Sequence, residues 1–144
     1  MGMRETEGSL KAYFIVAGVL GALVTVNDLN GIGAVSSLLP ASWKLPIYAH
    51  DLVRIALSVG FIIAGARLKA ELPRGARWIQ QLLLLGLVMQ LGTTIWLGAL
   101  IGGQVPGLYI PALVGMLITA YLLHNLRRLA AEAMARSIPP AKIV

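Results

Sequence analysis

The stretch that most constrains the fold runs from Pro46 to Lys69, which is too apolar for water and unusually charged for a membrane span. Its uncharged segment, between Arg54 and Arg67, holds only 12 residues. A helix needs about 20 residues to cross the hydrocarbon core of a bilayer. We therefore expect a spanning helix to begin near Pro46 and to carry charged side chains into the membrane. Such side chains are costly at that depth and by default mark a site.

Composition predicts an integral membrane protein. Of the 144 residues, 58% are hydrophobic and 12% are charged, whereas soluble domains carry about 25% charged residues. A soluble chain of this length could not bury so much apolar surface. The basic residues flank apolar segments and do not form the aromatic-rich basic stripe of a nucleic-acid interface. We therefore expect the lipid bilayer, and no nucleic acid, as a partner.

The hydrophobic pattern predicts an all-α fold, a single integral membrane four-helix bundle over residues 1–144. Residues 29–43 form an uncharged connection with glycines and large apolar side chains, which predicts a short interfacial or re-entrant segment in the first outer loop. The pattern LRRLAAEAMAR predicts that the tail, residues 127–144, begins as a helical extension. The four transmembrane helices are predicted at about 9–28, 46–69, 78–101 and 108–126.

The distribution of basic residues predicts the topology. The two tails and the second loop hold ten of the 12 lysines and arginines, and the opposite side holds only Lys44 and Arg54. Lysine and arginine accumulate in cytoplasmic loops. We therefore expect both termini, and the helical extension, in the cytoplasm. The short loops favour a prokaryotic cytoplasmic (inner) membrane.

Four ionisable residues are expected to meet near the outer membrane face. Asp28 lies at the end of the first predicted helix, while His50, Asp51 and Arg54 share one face of the second helix with Ser58. Two carboxylates, an imidazole and a guanidinium could bind a cation or relay protons through the imidazole. The alternative is a structural ion-pair network that ties the first two helices together.

Polar residues continue at membrane depth in the third and fourth predicted helices. Gln90 lies near the middle of the third helix with Thr93 and Thr94 on the same side, and Thr119 lies in the fourth. Together they trace a sparse polar path. The alternative is structural, since a glutamine can bond between helices and threonine hydroxyls can bond back to helix carbonyls.

Small residues at helical spacing predict close helix packing. Ala17, Gly21 and Thr25 share one face of the first helix, and Gly115 precedes Thr119 by one turn in the fourth. Small residues at this spacing let helix backbones approach closely in membranes.

No catalytic motif is found in the sequence, so we expect neither an enzyme nor a bound cofactor or metal. With no cysteine in the chain, thiolate sites are excluded. Two functions are predicted: a homo-oligomeric transporter or channel for a small solute or ion, or a non-catalytic accessory or scaffold subunit of a larger membrane complex. Four helices are few to enclose a pathway, so a transporter is expected to self-associate.

Overall fold

A computed structural model describes residues 3–35, 40–100 and 109–137 of the chain. These residues form four α-helices: α1 (Met3–Val35), α2 (Ala41–Glu71), α3 (Ala76–Leu100) and α4 (Tyr109–Ser137). Within the described ranges the chain contains no β-strand. The all-α prediction is confirmed.

Three helices are long and apolar enough to cross a membrane, over the stretches Thr6–Gly31, Ala41–Glu71 and Ala76–Trp96. Even the shortest, at 21 residues, covers about 30 Å, the thickness of the hydrocarbon core. Large apolar side chains on these helices point outward, with Leu23 62%, Leu52 68% and Ile95 69% exposed. Such surfaces suit lipid and are rare in water. The three helices therefore indicate an integral membrane protein, and a fourth span at 108–126 stays a prediction.

The first two helices are longer than predicted. Helix α1 continues to Val35 instead of ending at residue 28, and α2 begins at Ala41, so that Pro46 lies inside it. Much of the predicted interfacial or re-entrant segment is therefore helical, while residues 36–39 lie outside the described part. A glycine costs a helix only about 1 kcal/mol, and an uncharged apolar connection loses little by staying helical because the helix satisfies its own backbone groups.

The second half of the chain follows the prediction more closely. Helices α2 and α3 are joined by a turn at residues 72–75, where the sequence carries Pro73 and Gly75. The indole of Trp78 donates a hydrogen bond to the Glu71 carboxylate at 3.1 Å across this turn. Helix α4 continues without a break to Ser137, which agrees with the predicted helical extension; residues 138–144 lie outside the described part.

The chain divides into two compact units. The α1–α2 hairpin comprises Lys11–Arg67, and the α3–α4 unit comprises the remainder, including the first turns of α1. In the α3–α4 unit the two helices pack on each other. Their buried apolar side chains include Ile79, Leu83, Leu122, Leu126 and Leu129. The prediction of one domain over residues 1–144 stays a prediction.

Candidate functional site

The α1–α2 hairpin is held by unusually close helix packing. A Cβ atom added to Gly18 would lie 2.6 Å from the carbonyl oxygen of Ser58 and 2.6 Å from Cγ1 of Ile62. The rings of Phe14 and Phe61 stack with centroids 5.9 Å apart. Residues early in α1 therefore meet residues late in α2, as in an antiparallel pair. This register carries the end of α1 toward the charged part of α2.

Arg54 joins the two helices of the hairpin at that point. Its Nη1 atom donates a hydrogen bond to Oδ2 of Asp28 at 2.7 Å, across the helix–helix contact. The same nitrogen lies 3.6 Å from Oδ1 of Asp51, one turn earlier on α2. The structure thus places Arg54 between the two carboxylates that the sequence singled out.

Asp51 is the most deeply buried member of the site, with a side chain only 4% exposed. Its Oδ1 atom lies 3.3 Å from Nδ1 of His50. Its Oδ2 atom is buried and has no hydrogen-bond partner among the described residues. Leaving a buried charged oxygen unpaired costs more than leaving a neutral one. We refer to Asp28, His50, Asp51 and Arg54 as the charged cluster.

The charged cluster lies at membrane depth if α2 spans. Arg67 and Arg54 are 13 positions apart, which along a helix corresponds to about 20 Å. With Arg67 at one edge of a hydrocarbon core about 30 Å thick, Arg54 lies roughly 10 Å inside the opposite edge. The cluster thus lies where charges are costly unless they are paired or hydrated.

Two residues with small hydroxyl side chains, Ser58 and Thr25, lie next to the cluster in the α1–α2 hairpin. The Ser58 hydroxyl donates to the carbonyl of Arg54 at 2.9 Å, and it would lie 2.7 Å from a Cβ added to Gly21. The Thr25 hydroxyl donates to the carbonyl of Gly21 at 2.8 Å and is fully buried. Both hydroxyls satisfy themselves on their own helices, so neither needs a ligand. Ala17, on the same face of α1, is half-buried.

The remaining predicted residues belong to the α3–α4 unit. The Gln90 side chain lies against Gly115 on α4, because a Cβ added to that glycine would fall 2.6 Å from Cδ of Gln90. Thr93 and Thr94 donate to the carbonyls of Met89 and Gln90 at 2.8 and 2.9 Å. Thr119 is buried one turn beyond Gly115 on α4. The glutamine therefore reaches across the α3–α4 contact to Gly115, whose missing side chain makes room for it.

Two close-packing glycines were missed by sequence reasoning. Gly18 was not singled out, although it lies three residues before Gly21 on a helix, a spacing that could have identified it. Gly65, on α2, is the second of them: an added Cβ there would lie 3.0 Å from the carbonyl oxygen of Lys11 and 3.0 Å from Cβ of Phe14. Which small residues permit close approach depends on the register between the helices, and that register is not visible in one sequence.

The chemistry available at the charged cluster is that of charge binding. It offers a buried carboxylate oxygen, a second carboxylate already held by Arg54, and an imidazole in contact with Asp51. Among the described residues, no group of three or more histidine, cysteine, aspartate or glutamate side chains could hold a metal ion. A nucleophile activated by a neighbouring base is likewise not found in the described part of the hairpin.

Comparisons with protein-family models, with curated proteins and with solved structures find no match to this chain. The fold and the site therefore define the class directly: an all-helical protein with three helices suited to a lipid bilayer and a charged cluster in the first hairpin.

Proposed function

We propose that this protein is a small transporter or channel for a small solute or ion, and that the charged cluster lies on its pathway. One observation carries the proposal: the Asp51 carboxylate is buried in a helix suited to span a membrane, and its Oδ2 atom lacks a partner among the described residues. A purely structural ion pair would be expected to satisfy both oxygens, because an unpaired charged oxygen is costly.

The pathway is proposed to form between copies of the chain. A bundle of four helices encloses little space. The α3–α4 unit carries further polar residues, Gln90, Thr93, Thr94 and Thr119, in helices that we propose to lie in the membrane. Outward-facing apolar surfaces on all four helices provide area both for lipid and for self-association.

The finer topology is part of the proposal. With α4 as a fourth span, both termini lie on the side that holds ten of the 12 lysines and arginines. The positive-inside rule makes this side the cytoplasm. We propose a prokaryotic inner membrane as the location, in line with the short connections between the helices.

Flux through reconstituted protein tests the proposal. In proteoliposomes we expect at least one solute, from a panel of labelled inorganic ions and small organic solutes, to cross faster than in empty liposomes. Asp51→Asn keeps the shape of the side chain but removes its charge. Contacts to a charged group contribute about 1.5–3 kcal/mol, so we expect the flux to fall at least tenfold.

The matched control for this change is Glu132→Gln. Glu132 accepts a hydrogen bond from Arg128 at 2.8 Å on an exposed part of α4. The control variant therefore loses one charge and one ion pair outside the cluster. We expect its flux to equal that of the unaltered protein. Equal flux in Asp51→Asn and in the control, or no flux above empty liposomes for the whole panel, would contradict the proposal.

An accessory subunit of a larger membrane complex is the second candidate, supported by the end of α4. Helix α4 continues past its apolar part to Ser137, where Arg127 and Arg136 are exposed. An exposed basic helix of this kind suits a partner protein or an anionic lipid surface. The mass of the purified native particle separates the two functions, since a transporter is expected as a homo-oligomer and a subunit with other polypeptides.

A further inference from the structure

The charged cluster is one positive charge short of neutrality. Asp28 and Asp51 contribute two negative charges, and Arg54 contributes one positive charge. The neutral form of His50 adds none. Buried charges in proteins are normally balanced by partners of opposite sign, so the cluster has capacity for one further positive charge.

The geometry places the uncompensated negative charge at Asp51. Arg54 donates to Asp28 at 2.7 Å, whereas its distance to Oδ1 of Asp51 is 3.6 Å, beyond hydrogen-bonding range. The guanidinium is thus hydrogen-bonded to Asp28 and makes only a longer ion pair with Asp51. Oδ2 of Asp51 is buried and lacks a hydrogen-bond partner among the described residues. The more deeply buried carboxylate is therefore the less well compensated one.

We propose that Asp51 binds a small monovalent cation and that this cation is the substrate class of the pathway. The inference rests on the proposed transport function and deepens it. A single positive charge neutralises the cluster, whereas a divalent ion would leave an excess. Carboxylate oxygens are the ligands that hard cations prefer.

In this proposal Arg54 competes with the bound cation for the Asp51 carboxylate. Its guanidinium lies close enough to Asp51 to lower the affinity of the carboxylate for another cation, while its bond to Asp28 keeps it from occupying the site. Removing the guanidinium should therefore tighten cation binding. If Arg54 and the carboxylates form only a structural ion pair, removing the guanidinium should destabilise the hairpin without tightening cation binding.

The test is the thermal unfolding midpoint of the purified full chain in detergent, because a ligand that binds only the folded state raises it. N-methyl-D-glucamine chloride is replaced stepwise by sodium, potassium or ammonium chloride at constant ionic strength. We expect at least one of the three salts to raise the midpoint by about 2–4 °C. For Arg54→Gln we expect an apparent Kd about tenfold lower than for the unaltered chain, because a nearby like charge is gone.

Two charge-matched double variants locate the site. Asp28→Asn with Arg54→Gln leaves Asp51 as the remaining carboxylate, and Asp51→Asn with Arg54→Gln leaves Asp28. Both variants carry the same cluster charge as the unaltered chain, and each removes an oppositely charged pair together. We expect the salt response in the first variant and its loss in the second.

The outcomes separate this inference from the transport proposal. A salt response in neither variant or in both, or a response that disappears in His50→Gln while Asp51 is intact, would overturn the cation site. Flux in proteoliposomes without any salt response would overturn it as well, leaving the transport proposal in place. The expected salt response without flux would support the cation site and overturn the transport proposal.

Discussion

Gly18→Ala is expected to lower the stability of the α1–α2 hairpin by about 1–3 kcal/mol, the usual cost of overpacking. The new methyl group would lie 2.6 Å from the carbonyl oxygen of Ser58 and 3.0 Å from the backbone nitrogen of Ile62. Backbone atoms cannot swing aside as the end of a flexible side chain can, so α1 and α2 must separate. Unfolding of the purified protein in detergent, followed by circular dichroism, measures the loss.

Gly31→Ala is the matched control for this prediction. Gly31 also lies in α1, but a Cβ added there meets nothing within 4 Å. Alanine is favoured over glycine inside a helix by about 1 kcal/mol, so the control should be as stable as the unaltered chain or more stable. Equal effects of the two substitutions would show that Gly18 is not at a tight contact.

Arg54→Ala is expected to destabilise the hairpin by about 2–4 kcal/mol. Breaking a fully buried ion pair costs about 3–5 kcal/mol because it leaves an uncompensated charge. The value here is lower because the Asp28 side chain is 40% exposed. The larger part of the loss is expected at Asp51, whose side chain is 4% exposed and loses the guanidinium 3.6 Å away. Thermal unfolding in detergent, with N-methyl-D-glucamine as the only monovalent cation, measures the effect.

The double variant Arg54→Ala with Asp51→Ala is expected to lose less stability than Arg54→Ala alone, since it removes the stranded carboxylate together with its partner. A small monovalent cation should restore part of the stability of the single variant and none of that of the double. Losses that simply add would argue that Arg54 and Asp51 are not coupled.

The all-helical fold could be predicted from the sequence, but the ends of the helices could not. Composition and the spacing of apolar residues are strong signals, and they locate α3 well. The connection around residues 29–45 is ambiguous because its glycines are compatible with a loop and its apolar side chains with a helix. The structure extends α1 to Val35 and starts α2 at Ala41, and the cost of helical glycines is small enough to allow this.

The charged cluster could be predicted in its membership but not in its geometry. Helical spacing gathers His50, Asp51 and Arg54 on one face. The choice of Asp28 as the closer partner of Arg54, and the unpaired oxygen of Asp51, depend on the offset between α1 and α2. For the same reason the sequence alone does not show that Gly18 lies at a tight helix contact, or that Gln90 packs against Gly115.

Close packing and the charged cluster are connected in the hairpin. Gly21 admits Ser58, and the Ser58 hydroxyl binds the carbonyl of Arg54. The tight contact of α1 with α2 therefore fixes the part of α2 from which the guanidinium extends. The stability of the hairpin and the proposed cation binding both depend on the contact between α1 and α2. Substitutions at Gly18 or Gly21 should therefore also weaken cation binding.

Water access to Asp51 within the membrane tests whether the charged cluster lies on a pathway. The chain has no cysteine, so Asp51→Cys and Leu52→Cys each introduce a single thiol at nearly the same depth, one in the cluster and one at a 68% exposed apolar position. A small cationic methanethiosulfonate reagent is added to membranes containing either variant. If the cluster lies on a pathway, Asp51→Cys reacts at least about tenfold faster, because the thiolate requires water. Equal, slow labelling of both thiols would show that the cluster does not lie on a water-accessible pathway.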